Sequence, residues 1–116
     1  MFVSEKLLRE LVQKIRSTLI NEIVITAYCR EKSLERRLSA EDELSDFLAY
    51  NCVWRFSQHK GEKGRRIVAE RPASKRKIVL GVFEVNAKVY FVNAYIINAR
   101  KQKRIGIELG DDKYVV

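Results

Sequence analysis

The sequence predicts an α+β protein in which N-terminal helices pack on one face of a mostly antiparallel sheet of four to six strands. Apolar residues recur at helical spacing in the first 50 residues, and from Cys52 onward they alternate with polar residues. The chain has 116 residues, of which 47% are hydrophobic and one is proline. We therefore expect a single domain, mainly helical over residues 1–50 and a basic β-meander over residues 51–116.

The helical half is predicted to hold one long helix and one or two shorter ones. Between residues 5 and 20 the apolar side chains recur three and four positions apart, and Ser4 precedes them as a candidate N-cap. Residues 32–50 return to this spacing, and Ser39 is a second candidate N-cap inside them, so this segment forms either one helix or two. Between the helical segments, Glu22–Cys29 is rich in β-branched residues and predicts a strand.

The second half is predicted to form hairpins. Gly61 and Gly64 bracket the tip of the first hairpin, Arg71–Ser74 is a connection, and Asn86-Ala87 is typical of a tight turn in the second. The predicted strands are, in chain order, Val53–Ser57, Arg65–Glu70, Lys77–Val85, Lys88–Asn98 and the edge strand Arg104–Leu109. Because unprotected edge strands pair readily, a homodimer is a hypothesis that this pattern raises.

The positive charge of the chain is concentrated in its second half. The formal net charge is +8, yet residues 1–54 hold eight Lys and Arg against nine Asp and Glu, whereas residues 55–116 hold fifteen against six. Such asymmetry is the electrostatic signature of a polyanion partner, and we predict nucleic acid, with no membrane partner. The candidate nucleic-acid-binding residues are Arg55, Lys60, Lys63, Arg65, Arg66, Lys75, Arg76, Lys77, Arg100, Lys101, Lys103 and Arg104.

Aromatic residues are interleaved with this positive charge. They are Trp54, Phe56, Phe83, Tyr90, Phe91 and Tyr95. Bases of single strands stack on exposed rings, which favours RNA over DNA as the partner. The alternative is that most of these rings form the core, since one face of the sheet must be buried. Tyr90 is the best candidate for a base platform because polar Asn98 shares its face.

The sequence argues against metal and cofactor sites. It contains one histidine, its acidic residues in the basic half are dispersed, and glycine-rich phosphate loops of the GxxxxGK[ST] and GxGxxG types are absent. Cys29 and Cys52 have no second thiol at metal-ligand spacing, so we interpret both as reduced, partly buried residues of a cytoplasmic protein. We expect neither a metal nor a cofactor.

Metal-independent cleavage of RNA is the catalytic hypothesis that the residues permit. It needs a group to deprotonate the 2′-hydroxyl, an acid for the leaving oxygen and cations for the phosphate. Histidine is the residue type best suited to acid–base catalysis near neutral pH, and His59 lies in the predicted hairpin tip. The candidate catalytic residues are His59, Glu70, Arg66 and Tyr95, with Arg65 and Arg100 as further cations. The alternative is that His59 is simply a polar loop residue.

The turn Gly64-Arg65-Arg66 and the segment Val89–Lys101, a strand that ends in basic residues, resemble parts of a known group. Residues 39–104 are similar to the barnase/EndoU/colicin/RelE-like small ribonucleases. This resemblance implies metal-independent RNA cleavage, often by a toxin that an acidic antitoxin holds. Two other functions stay open: a non-catalytic nucleic-acid-binding regulator of viral or mobile-element type, and a basic module that docks an acidic protein partner.

Overall fold

The computed structural model of the chain describes residues 2–74, 76–98 and 114–116, and of residues 2–4 the backbone only. The helices are α1 (Phe2–Ser17), α2 (Ala27–Glu35) and α3 (Ala40–Ala49), with a 3₁₀ turn at Ile20–Glu22. The strands are β1 (Val24–Ile25), β2 (Val53–Phe56), β3 (Arg65–Ser74), β4 (Lys77–Val85), β5 (Val89–Asn98) and β6 (Tyr114–Val115). Within the described ranges, each helix is too short or too polar to cross a membrane.

The strands of the described residues form a six-stranded sheet in the order β1-β5-β4-β3-β2-β6. β1 runs parallel to β5, and the other neighbours run antiparallel. The predicted α+β class is confirmed, as is the strand Lys77–Val85. β6, which the sequence did not predict, pairs with β2. The predicted edge strand Arg104–Leu109 lies outside the described residues.

The capping residues explain where the helices begin. The hydroxyl of Ser39 accepts a hydrogen bond from the amide of Asp42 at 3.3 Å and starts α3, so residues 32–50 do belong to two helices. The predicted bounds of α1 are wrong, because the helix begins at Phe2, with Ser4 inside it. It ends at Ser17, and the amide and the hydroxyl of Thr18 both donate to the carbonyl of Lys14.

The predicted strand Glu22–Cys29 is wrong over most of its length. Only Val24 and Ile25 pair with β5, and the chain then turns into α2. The hydroxyl of Thr26 accepts from the amide of Cys29 at 3.1 Å and caps this helix. The β-branched side chain of threonine favours strands, whereas its hydroxyl favours the start of a helix. At Thr26 the hydrogen bond of the hydroxyl determines the local structure, and a helix begins.

The predicted connection Arg71–Ser74 is wrong as well, because β3 continues to Ser74. The proline inside it is tolerated for two reasons. Pairing with β2 ends at Glu70, so Pro72 lies where that edge of β3 has no β2 partner. The register with β4 also shifts between Pro72 and Ser74, and prolines occur in strands at such edges and bulges.

The two faces of the sheet carry different apolar clusters. Residues of all three helices, among them Leu8, Cys29 and Phe47, pack with alternate sheet residues on the first face. The second face carries a smaller buried cluster of Val68, Leu80, Val82 and Ile97. Alternation along β3 and β4 therefore assigns Arg66, Glu70 and Glu84 to the second face.

Candidate nucleic-acid interface

Two of the loops that connect strands lie at the same end of the sheet. The β2–β3 loop (residues 57–64) and the β4–β5 turn (residues 86–88) meet there, because the side-chain amide of Asn86 donates to the carbonyl of Lys63. We call this the loop end. At the opposite end Lys77 pairs with Asn98, the last described residue before the basic segment 100–104. The sequence left open whether the tips after residues 58 and 99 lie at the same end of the sheet. The tip after residue 58 lies at the loop end, and the tip after residue 99 lies outside the described residues.

The predicted nucleic-acid-binding residues are therefore spread over different parts of the sheet. Lys60, Lys63, Arg65 and Arg66 lie at the loop end, and Arg76 and Lys77 lie at the opposite end. Arg55 lies between the two, with its Nε 3.1 Å from Oε1 of Glu70. Lys75, Arg100, Lys101, Lys103 and Arg104 lie outside the described residues. The loop end therefore holds the larger described group of cations.

A cleft of about 430 Å³ opens on the second face at the loop end, and we call it the Arg66 cleft. Its walls come from the start of α2, the β2–β3 loop and the strands β3, β4 and β5. The lining residues are Thr26, Tyr28, Lys60, Glu62, Lys63, Arg66, Glu84, Val92 and Asn93. The volume is within the range of small-molecule sites and suits a single nucleotide.

A second cleft, of about 710 Å³, lies on the other side of the same loop. We call it the His59 cleft, since His59 lines it together with Arg65 and Arg66. Lys60, Glu62 and Arg66 line both clefts, so the loop forms a wall between them. A strand of nucleic acid that crosses this wall would pass the cations of both clefts.

A buried carboxylate anchors the loop above the Arg66 cleft. Glu84 is 3% exposed, and its Oε1 accepts a hydrogen bond from the backbone amide of Lys63 at 3.0 Å. Its Oε2 lies 3.6 Å from Nη1 of Arg66. The Nε of Arg66 is buried and has no hydrogen-bond partner within the described part of the chain. Buried donors are normally paired, so this N–H is an exception beside the buried carboxylate.

The backbone of the loop leaves little room for variation. Gly64 has a φ of +154°, and a Cβ at this position would overlap the carbonyl group of Val85. The ammonium of Lys63 lies 5.6 Å from the ring centroid of Tyr90, and the guanidinium of Arg65 lies 4.8 Å from that of Phe56. These cation–π contacts orient the charges before any ligand arrives.

The structure places the candidate catalytic residues in two groups. His59 and Arg66 line the same cleft. Glu70 and Tyr95 both lie opposite Leu80, in a row across the sheet. Glu70 is four residues along β3 from Arg66, which is about 13 Å in a strand. The fold therefore places His59 and Arg66 in one cleft, and it places Glu70 and Tyr95 farther along the sheet with Leu80 between them.

Sequence reasoning missed Tyr28, Glu84 and Asn93 as site residues. Tyr28 is 54% exposed at the start of α2, in a segment that the sequence predicted as a strand. The sequence analysis counts Glu84 only among the dispersed acidic residues of the basic half. Its position opposite Arg66 depends on a strand register that composition does not show.

The two cysteines have a structural role rather than a catalytic one. Burial raises the pKa of the Cys29 and Cys52 thiols, which is the reverse of the shift that activates a nucleophilic cysteine. Both thiols are free and buried, as expected. Across residues 2–74, 76–98 and 114–116, the acidic, histidine and cysteine side chains form no group of three or more that could hold a metal ion.

Comparisons of the chain with protein-family models, with curated proteins and with solved structures find no match. The resemblance to the small ribonucleases therefore stays a prediction.

Proposed function

We propose that the protein binds single-stranded nucleic acid at the loop end of the sheet, with RNA favoured over DNA. One observation carries this proposal. The Arg66 cleft combines the cations Lys60, Lys63 and Arg66 with an exposed aromatic ring, that of Tyr28. Single-strand binding sites are built from the same two components, a cationic groove for the backbone and rings on which bases stack.

The cations account for affinity. Lys60 is exposed, Lys63 is held over a ring, and the side chain of Arg66 is 29% exposed, so phosphate oxygens meet donors that are already in place. Contacts of this kind release counterions from the nucleic acid and make binding depend steeply on salt. They carry no information about base sequence.

The shape of the site favours a single strand. A base that is stacked and paired inside a duplex cannot enter a recess of about 430 Å³, whereas an unpaired base can. Unpaired bases that are splayed out and stacked on aromatic side chains are the usual target of RNA-binding proteins. We therefore take single-stranded RNA as the ligand and single-stranded DNA as the comparison.

The double variant Lys60→Ala/Lys63→Ala is expected to bind single-stranded RNA at least tenfold more weakly than the wild type. Each phosphate contact that is lost lowers the slope of log K against log salt by about 0.7, so two contacts lower it by about 1.4. Fluorescence anisotropy of a labelled RNA oligonucleotide between 50 and 300 mM salt measures both quantities.

The matched control is Arg76→Gly/Lys77→Ala, which removes the same charge at the opposite end of the sheet. Arg76 has a φ of +62°, which glycine adopts without strain. This control should change the affinity less than threefold. If it costs as much as the loop variant, the loop end is not the binding site. If polyglutamate of matched charge competes as well as RNA, an acidic protein becomes the better partner.

Metal-independent RNA cleavage is a second candidate function, and the His59 cleft favours it. His59 lines this cleft beside Arg65 and Arg66. An imidazole next to two guanidinium groups has the composition that cleavage needs, since it transfers the proton of the 2′-hydroxyl while the cations stabilise the negative phosphorane.

If the protein cleaves, incubation with a fluorescent single-stranded RNA in EDTA should yield discrete fragments, and His59→Ala should abolish them. Because His59 is exposed and acts on the proton rather than on the phosphate, the same variant should bind RNA within threefold of the wild type. A denaturing gel and anisotropy measure the two effects. Intact RNA after hours with the wild type would reject cleavage and leave the binding function in place.

A further inference from the structure

The orientation of the Asn93 side chain is fixed. Its Oδ1 accepts two hydrogen bonds, one from Nη1 of Arg36 at 2.6 Å and one from the amide of Ala94 at 3.0 Å. An amide whose oxygen is occupied by two donors cannot exchange its oxygen and nitrogen without losing both bonds. The Nδ2 group has no hydrogen-bond partner among the residues that the structure describes, and Asn93 lines the Arg66 cleft.

A β-bulge brings this side chain to the cleft. The register between β4 and β5 shifts between Val82 and Phe83, so that Asn93 lies opposite Val82 while Phe91 lies opposite Phe83. Val92 is the additional residue, and both Val92 and Asn93 line the cleft. Bulges commonly redirect a side chain in this way, next to functional sites.

The exposed ring of the cleft is held beside the bulge. The amide of Thr26 donates to the carbonyl of Phe91 at 3.1 Å and ties the start of α2 to β5. Thr26 also caps α2, and Tyr28 lies in its first turn. Tyr28 and Asn93 therefore stand on elements whose relative position is fixed by a backbone hydrogen bond.

The polar groups open to a ligand in this cleft are mostly donors, and the exposed carboxylate of Glu62 is an acceptor among them. Asn93 offers its amide N–H groups, Arg66 its partly exposed guanidinium, and the loop lysines their ammonium groups. The buried acid, Glu84, is already engaged by Lys63 and faces Arg66. Such a set suits a ligand that is rich in acceptors at both ends, which describes a nucleotide whose base carries carbonyl oxygens.

We propose that the Arg66 cleft holds one nucleotide of the bound strand, with its base between Tyr28 and Asn93, and that Asn93 selects uracil over cytosine. The phosphate lies against Lys60, Lys63 and Arg66. The two bases differ at position 4, where uracil has an oxygen that accepts from Nδ2 and cytosine has an amino group that meets it donor to donor. This inference rests on the proposed binding function and adds base selectivity to it.

The test compares hexamers of uridylate and cytidylate by fluorescence anisotropy. The wild type should bind the uridylate hexamer at least fivefold more tightly. Asn93→Asp should abolish this preference, because aspartate keeps an oxygen for Arg36 and Ala94 and replaces the donor by a second acceptor. The added charge repels the phosphates of both ligands, and the new acceptor favours the amino group of cytosine, so the ratio of the two dissociation constants is the informative quantity.

Variants of Tyr28 test the proposed stacking of the base on its ring. Tyr28→Ala should weaken both hexamers about tenfold through lost stacking, while Tyr28→Phe should stay within twofold of the wild type. Tyr50→Ala removes a similarly exposed tyrosine that does not line the cleft, and it should have no effect.

The outcomes separate the inference from the function on which it rests. Equal binding of the two hexamers by the wild type, or a preference that survives Asn93→Asp, overturns the inference and leaves nucleic-acid binding intact. Equal losses for Tyr28→Ala and Tyr50→Ala overturn the base position. Failure of the wild type to bind either hexamer, or any longer single strand, overturns both proposals.

Discussion

Replacement of Phe47 by alanine is expected to lower the free energy of unfolding by about 4 kcal/mol. Phe47 is fully buried in α3, with its ring centroid 6.0 Å from that of Phe83 and 6.1 Å from that of Phe91. It also lies on Gly81, where a Cβ would come within 2.5 Å of its ring. Truncation leaves a cavity between helix and sheet that the rigid strands cannot fill. Urea denaturation followed by circular dichroism measures the change.

Leu48→Ala is the matched control for this variant. Leu48 is the next residue of the same helix and is only partly buried against the core, so its truncation should cost about 1–2 kcal/mol. A small domain has a total stability of about 5–15 kcal/mol, and the Phe47 variant should therefore be close to unfolding at 37 °C. A loss below 1 kcal/mol for Phe47→Ala would contradict the packing of α3 on the sheet.

Replacement of Glu84 by leucine is expected to cost about 3 kcal/mol and to release the loop above the Arg66 cleft. The change deprives the amide of Lys63 of its acceptor and leaves the guanidinium of Arg66 facing apolar surface. Denaturation measures the stability. Hydrogen exchange of the Lys63 amide measures the loop, and we expect exchange at least tenfold faster than in the wild type.

Glu84→Gln is the control that keeps the shape of the side chain and removes its charge. Glutamine retains an oxygen for the amide of Lys63, so this variant should keep most of the exchange protection and lose about 1 kcal/mol. If Glu84→Leu is as stable as the wild type and its Lys63 amide is equally protected, the carboxylate does not anchor the loop.

Strong local patterns predicted most of the sheet. β4 was predicted with its observed bounds because its residues are mostly apolar from a basic start to the Asn86 turn. The prediction of a strand at Glu22–Cys29 was wrong because β-branched residues are compatible both with a strand and with the capped start of a helix. The choice between them depends on the hydrogen bond from the amide of Cys29 to Thr26, which belongs to the three-dimensional arrangement.

The sequence predicted the charged residues of the candidate site, but it did not predict how the fold arranges them. Clustering of Lys and Arg after Arg55 identified the cations of the loop end from composition alone. Which cations meet depends on the direction of each strand, and this direction placed Lys77 and Lys63 at opposite ends. Asn93 enters the cleft through a bulge, which shifts the core positions of β5 from Val89 and Phe91 to Ala94. Apolar residues occupy both faces of β5, so this change of phase is hidden in the sequence.

The most direct test of the account is an NMR titration of the ¹⁵N-labelled protein with a uridylate hexamer at low salt. The account predicts that amide shifts concentrate in residues 58–66 and around Tyr28 and Asn93, the residues that line the Arg66 cleft and the loop wall. Shifts confined to Arg76 and Lys77, at the opposite end of the sheet, would contradict it, as would a spectrum that the RNA leaves unchanged.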